Sequence, residues 1–201
     1  VQYVRAAAPP IDARTIPPQW HDSPVALLGP VAQEVRQDVV QTFGGHTTIA
    51  ATLQGWVRTW DANTGRVRPV PWDDYEAFLE RIDAVVFSPV DVGSDPVLVQ
   101  RYAERARLAI VTEAADGGVV WHRGHRFRYP AYEVHEVEPT GAGDAFAVAF
   151  ALEFHATRDP DHSARYASCV ASFVVEGHGA SRVPTIDAVR ERFRHGRLRS
   201  S

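Results

Sequence analysis

Val137-Glu138-Pro139-Thr140-Gly141-Ala142-Gly143-Asp144-Ala145-Phe146 is the stretch on which the reading of this chain turns. Small residues run into an apolar segment, and a single carboxylate, Asp144, falls in the first turn of the helix the pattern predicts. Upstream, Tyr132, Val134 and Val137 are spaced as in a short strand. Downstream, residues 145–152 are continuously apolar, which predicts a buried helix from about 141 to 155. A helix N-terminus offers N–H groups that lack intrahelical acceptors, together with a partial positive charge. Glycines let an anion come close to those groups. A carboxylate beside such a cradle can accept the proton of an attacking hydroxyl. Phosphoryl transfer needs these parts.

Outward from this turn, strand and helix patterns alternate. Residues 25–28 read as a buried strand stopped by Gly29-Pro30. Residues 31–43 read as a helix, because Val31, Val35, Val39 and Phe43 recur every four positions before Gly44-Gly45. A strand at 47–53 follows. Trp56 and Trp60 then flank a turn at Asp61-Ala62-Asn63-Thr64-Gly65, a small hairpin. Residues 73–82 and 95–107 read as helices, 84–87 and 108–112 as buried strands. Gly117-Gly118 opens a hairpin that turns at His122-Arg123-Gly124-His125. Helices at about 141–155, 163–176 and 185–194 close the chain, and residues 1–8 read as a strand ahead of two proline pairs. The alternation predicts one α/β domain over residues 1–201 with a mostly parallel sheet. Such sheets bind ligands beyond the carboxyl ends of their strands, where the turns after Thr112 and Val137 both fall.

Composition narrows the function. The 201 residues are 45% hydrophobic, enough for one core. A net charge of −4 gives no general attraction to nucleic acid or an anionic membrane, so neither is an expected partner. No apolar run reaches the length of a membrane span and no signal peptide is visible. The single cysteine, Cys169, excludes a disulfide within the chain. It suits a reducing cytoplasm and reads as a small buried hydrophobe. All 21 basic residues are arginine, which excludes a Schiff-base lysine and a Walker A loop. A dinucleotide fingerprint fails too. Phe146 occupies its third glycine position, and no strand ending in an acid follows at the right spacing.

On these residues the chain resembles the ribokinase-like (PfkB-type) carbohydrate kinases. Glu138 to Phe146 matches that family's C-terminal signature. Val111-Thr112-Glu113-Ala114-Ala115-Asp116-Gly117-Gly118 is similar to its nucleotide-site loop, and Val175-Glu176-Gly177-His178-Gly179-Ala180-Ser181-Arg182-Val183-Pro184 to its closing segment. The resemblance implies a three-layer ribokinase-like fold with a mostly parallel sheet, lacking the family's N-terminal strands and most of its lid. Residues 1–8 would be a remnant lid strand. It implies transfer of the γ-phosphoryl group of ATP, with Mg²⁺ bridging the phosphates, to a hydroxyl of a sugar-type or nucleoside small molecule. Asp144 is then the base, and the amides of Gly141, Ala142, Gly143 and Asp144 form the anion hole. Thr112, Gly117, Thr140 and Gly179 belong to the nucleotide site. Asp91 stands at a place tied to the magnesium network and Glu138 at one linked to a monovalent cation. Pairing through the lid implies a homodimer.

The chain also departs from the family pattern. Ser88-Pro89-Val90-Asp91 replaces Asn-x-x-Glu, Glu138 replaces the commoner Asp, and Ala114 stands at a glycine position. A non-catalytic nucleotide-binding module of the same fold is therefore the alternative. Three other clusters read as structural. His122 and His125 flank a turn without ligands at metal spacing and read as a solvated hairpin. Trp56, Trp60, Trp72 and Tyr75 read as core. Arg190, Arg192, Arg194, Arg197 and Arg199 read as a frayed, solvated tail.

Overall fold

Side chains of the central strands point alternately to the two faces of the sheet, and that alternation builds the layers. A computed structural model describes residues 2–199. In chain order its strands are β1 (Val25–Leu28), β2 (Thr48–Thr52), β3 (Arg58–Trp60), β4 (Val67–Pro69), β5 (Ala84–Phe87), β6 (Leu108–Thr112), β7 (Gly118–His122) and β8 (His125–Tyr129). The α-helices are α1 (Tyr75–Leu79), α2 (Pro96–Arg105), α3 (Ala142–Thr157), α4 (Pro160–Val174) and α5 (Ile186–His195). In β5, Ala84 and Val86 join the core on one face while Val85 and Phe87 join the core on the other. Leu108 and Ile110 divide from Ala109 and Val111 in the same way along β6. Every position is apolar because both faces are covered, as a parallel sheet requires.

The main sheet runs β1-β2-β5-β6-β7-β8. Its first four strands are parallel and the β7–β8 hairpin adds two antiparallel strands. The β3–β4 ribbon stands apart. One face is covered by α1, α2 and a tryptophan pair, Trp56 and Trp72, stacked with centroids 5.1 Å apart. The other is covered by α3 and α4. A third cluster, around Tyr132, Cys169 and Val189, seats α5 against α4. Burial there pushes the Cys169 thiol up to about 11, so it stays protonated and inert at neutral pH. No helix among the described residues is long and apolar enough to cross a membrane.

Several segments depart from the expectations, each for a local reason. Residues 31–43 are not an α-helix. Gln33 takes φ 61°, the Glu34 carboxylate accepts from the Val31 and Ala32 amides, and Val35 bridges to Ile11. Trp56 Nε1 donates to the Val35 carbonyl at 2.7 Å, and only the 3₁₀ turn Gln37–Thr42 is helical. Long-range partners claim the backbone groups a helix would have used, and the run is rich in β-branched valine. Tyr132, Val134 and Val137 form no strand of their own. The Val137 amide donates to the Val175 carbonyl, and Tyr132 bridges to Leu198. That bridge also corrects the tail: Glu133 and Arg199 exchange backbone hydrogen bonds across it with Arg197 and Ala131, so the terminal arginines follow an ordered stretch. Of the strand expected at 1–8, Val1 lies outside the described residues. Tyr3 makes a single bridge to Arg66, beside the turn of the β3–β4 ribbon.

The apolar run of α3 is buried on one side only. Phe146 and Phe150 face the sheet, whereas Val148 and Leu152 are 45% and 55% exposed. Phe150→Ala should therefore cost about 3–5 kcal/mol in urea unfolding. Val148→Ala should change stability by only about 0.5 kcal/mol. Equal losses would contradict this orientation of α3.

Candidate active site

The turn into α3 is left open. Gly141 precedes the helix at φ 86°, a left-handed conformation that only glycine adopts without strain. No side chain caps the helix. The Ala142 amide donates to the Pro139 carbonyl and the Ala145 amide to the Gly141 carbonyl. Those of Gly143 and Asp144 have no acceptor among the described residues. Most helices fill this position with Ser, Thr, Asp or Asn. Gly143 has ordinary φ, and a Cβ there would meet nothing within 4 Å. No protein atom requires that glycine, although one inside a helix costs about 0.5–1 kcal/mol relative to alanine. The Asp144 side chain is exposed and makes no hydrogen bond or ion pair with any described residue.

A chain of contacts seats this turn at the carboxyl end of the parallel strands. Phe146 stacks on Tyr129 at 5.6 Å, Tyr129 pairs with Gly118, and Gly118 pairs with Thr112, the last residue of β6. At the far end of α3, His155 Nδ1 meets the hydroxyl of Thr48, the first residue of β2, at 2.8 Å. The helix thus runs antiparallel to the strands, and its open N-terminus lies where α/β sheets bind ligands.

Thr112 Oγ1 donates to the Phe87 carbonyl at 3.4 Å. Gly117 has a structural reason of its own, since a Cβ there would strike the Tyr129 carbonyl. Gly118 is likewise pressed by the buried Tyr129 hydroxyl, which has no hydrogen-bond partner among the described residues. Between Thr112 and Gly117, Ala114 sits at φ 50°. The backbone keeps the left-handed turn a glycine would favour, and alanine holds it under strain.

Glu138 acts as a latch. Its Oε2 accepts from the Gly179 amide and meets His178 Nδ1, both at 3.3 Å. The Gly179 amide, then the Thr140 hydroxyl and His178, hold its carboxyl below the usual carboxylate range. Glu138, Thr140 and Gly179 thus come together, tying the closing segment to the turn before α3. His178, the partner of Glu138, was not legible as such: no periodicity marks a contact 40 residues away. Gly179 has φ 55° and open space around it.

Asp91 is occupied differently. Its Oδ2 accepts from the amide and hydroxyl of Ser88, both at 2.8 Å, and its Oδ1 lies 3.6 Å from Arg58 of β3. The carboxylate thus closes a 3₁₀ turn and anchors the ribbon. Among the described residues no three His, Cys, Asp or Glu side chains converge to hold a metal ion. The residues present do not fit a protein-held magnesium ion.

A cleft of about 770 Å³ opens at the same end of the sheet. It is bounded by Glu113, Asp116, Arg128, Pro130 and Arg199, and its walls do not include Asp144. Arg128 and Glu113 pair across it at 2.5 Å.

The model of the pfkB family carbohydrate kinases matches residues 83–186, more than half of the chain and all of the Val137 to Phe146 motif. The chain belongs to that family. This pfkB-family chain is 26% identical over 179 residues to the 2-dehydro-3-deoxygalactonokinase of Haloferax volcanii, which is 84% of this chain and 54% of that one. It therefore spans about half the length of that curated relative. Ribokinase from Thermotoga maritima superposes with a TM-score of 0.68 at 17% identity, over 92% of this chain and 61% of the other. Arabidopsis thaliana ribokinase, complexed with ribose and ATP, gives 0.65 at 18%, over 85% and 56%. At these identities the structures establish the ribokinase-like fold, with its mostly parallel sheet between helical layers.

Two outcomes follow. Ala114→Gly should stabilise the chain by up to about 1 kcal/mol in chemical denaturation, because it relieves a left-handed alanine. A loss of stability would show that the methyl group packs. The Glu138 latch has a depressed carboxyl, so its contribution is complete above the usual carboxylate range and fades as the pH falls through the lowered value. The Gly179 amide proton shift should follow that titration in the parent chain and stay flat in Glu138→Gln. An acid titration unaltered by the substitution would argue against the latch.

Proposed function

We propose that this protein transfers the γ-phosphoryl group of ATP to a hydroxyl of a sugar-type or nucleoside acceptor, with Asp144 as the base. The open turn carries the reading: unpaired amides at Gly143 and Asp144 stand beside an exposed, unpartnered carboxylate, in a pfkB-family chain. Support for the substrate class comes from the relatives, which are named as sugar kinases.

In the reaction, the acceptor hydroxyl lies within hydrogen-bond reach of an Asp144 carboxylate oxygen. Its oxygen bonds to the γ-phosphorus as its proton passes to Asp144. The bond to the β–γ bridging oxygen breaks, and that electron pair leaves with ADP. Charge on the three equatorial oxygens peaks near the transition state, where the amides of Gly141, Gly143 and Asp144 donate to it. Ala142 contributes position rather than a free donor, since its amide is taken by Pro139. Positioning by a base of this kind is worth about 10²–10⁴-fold, and one donor of the hole about 10²–10³-fold. Thr112, Thr140 and Gly179 are assigned to the donor nucleotide. Gly117 shapes their loop. Glu138 is assigned the latch instead of a monovalent cation, since its carboxylate already holds Gly179 and His178. A magnesium ion that travels on the donor phosphates brings its own ligands, and no step here passes through it.

One observation favours the rival, a nucleotide-binding module without turnover: Asp91 is spent on Ser88 and Arg58. Isotopically labelled ATP, incubated with a panel of sugars and nucleosides, separates the two. The kinase reading expects product with at least one acceptor, and a fall of about 10²–10⁴-fold in kcat for Asp144→Asn with ATP affinity unchanged. Full activity in that variant removes the base. Tight ATP binding with no transfer to any acceptor supports the module.

A further inference from the structure

A second cleft lies at the opposite end of the sheet from Asp144. About 560 Å³ in volume, it is walled by the start of β6 at Leu108, the β7–β8 hairpin and the end of α3 at Phe154 and Arg158. The 16 residues of α3 span about 24 Å, so this place is separate from the turn at Gly141.

The wall is cationic in a chain of net charge −4. Arg107, Arg123, Arg126 and Arg158 line it together with His122 and His125. Its two acids are engaged. Asp83 accepts from the Ile49 amide at 2.8 Å, and Glu104 accepts from Gln100 at 2.8 Å and Arg126 at 3.5 Å. Arg126 lies over the Trp121 ring, 3.5 Å from its centroid. Arg107, Arg123 and Arg158 meet no carboxylate among the described residues; the ion pairs of this region are Arg126 with Glu104 and Arg105 with Glu80 and Glu76.

Backbone conformation sharpens the case. Arg123 has φ 51° and Arg158 φ 56°. Both are left-handed positions that strain any residue with a Cβ and that glycine or asparagine would fill more easily. Arginine stands at both, and both line the same cleft. Arg107 and Arg158 also follow the last turns of α2 and α3, where the helix dipole favours a cation. The dipole accounts for neither Arg123 nor the choice of a left-handed arginine at 158. Burial first, then the charges of Arg123 and His125, hold His122 below the ordinary histidine range.

We infer that this cleft binds a small, soluble phosphate-bearing molecule, held by the forked guanidinium groups of Arg107, Arg123 and Arg158. Guanidinium matches phosphate oxygens two at a time, and the volume is that of a small-ligand site. The inference stands independently of the role of Asp144.

Histidine ring resonances of the full chain, followed by NMR as inorganic phosphate is added at constant ionic strength, provide the test. Bound phosphate should raise the His122 pKa by about one unit. The double variant Arg123→Gly with Arg158→Gly relieves both strained positions and so retains the fold. It should lose that shift and weaken phosphate binding by about tenfold or more. The Gly143 and Asp144 amides report separately on the opposite end and should respond alike in both proteins. Glycerol phosphate should compete with phosphate at His122, and vesicles containing phosphatidic acid should not. A shift reproduced by chloride, an unchanged shift in the double variant, or competition by the vesicles would each overturn the inference.

Discussion

The packing of α3 on the sheet is the contact from which the candidate site inherits its geometry. Phe146, Phe150 and Phe154 stack along one side of the helix, with centroids 6.4 and 5.7 Å apart, and Phe146 continues onto Tyr129. Alanines at 50 and 84 in the sheet and at 147 and 151 in the helix keep the approach close. The register matters because one helical turn is about 5.4 Å, while reacting atoms must stand within about 3–3.5 Å. A slip of a single turn would carry Asp144 out of reach of any acceptor held by the rest of the molecule. The apolar core on that face therefore sets the position of the carboxylate, while the Glu138 latch and the Thr48–His155 contact hold the two ends of the helix.

The acids near the carboxyl end divide by environment. Asp91 satisfies Ser88 and pairs with Arg58, and Glu138 satisfies Gly179 beside His178. Each restrains backbone that would otherwise be loose: the entry to a 3₁₀ turn and the closing segment. Asp144 restrains nothing among the described residues. The same carboxylate chemistry is structural where donors surround it and available where they do not. The uncapped turn at Gly141 extends that contrast to the backbone, because its amides are spared by the absence of a capping side chain.

Much of this was legible in local sequence. The strands at 84–87 and 108–112, the hairpin at Arg123-Gly124 and the start of α3 lie where short-range patterns put them, because buried parallel strands are continuously apolar and Gly124 and Gly141 mark their turns. The motif from Val137 to Phe146 also named the family before any coordinates did. The four-residue spacing at 31–43 misled, because Val35, Val39 and Phe43 are buried or half-buried by partners distant in sequence rather than by a helix of their own, and Val31 is exposed. The apolar run of α3 overstated its burial for a related reason: composition cannot tell which side of a helix meets a sheet.

The sequence by itself thus determined the central strands at 84–87 and 108–112, the β7–β8 hairpin, the open glycine turn and its lone acid, since each rests on neighbours within a few residues. Only the tertiary structure decided that Glu138 reaches across 40 residues to His178, that Asp91 is tied to Arg58, and that four arginines from three parts of the chain wall one cleft at the far end of the sheet. Those pairings depend on how strands and helices are stacked, and a linear pattern carries no record of distance through space.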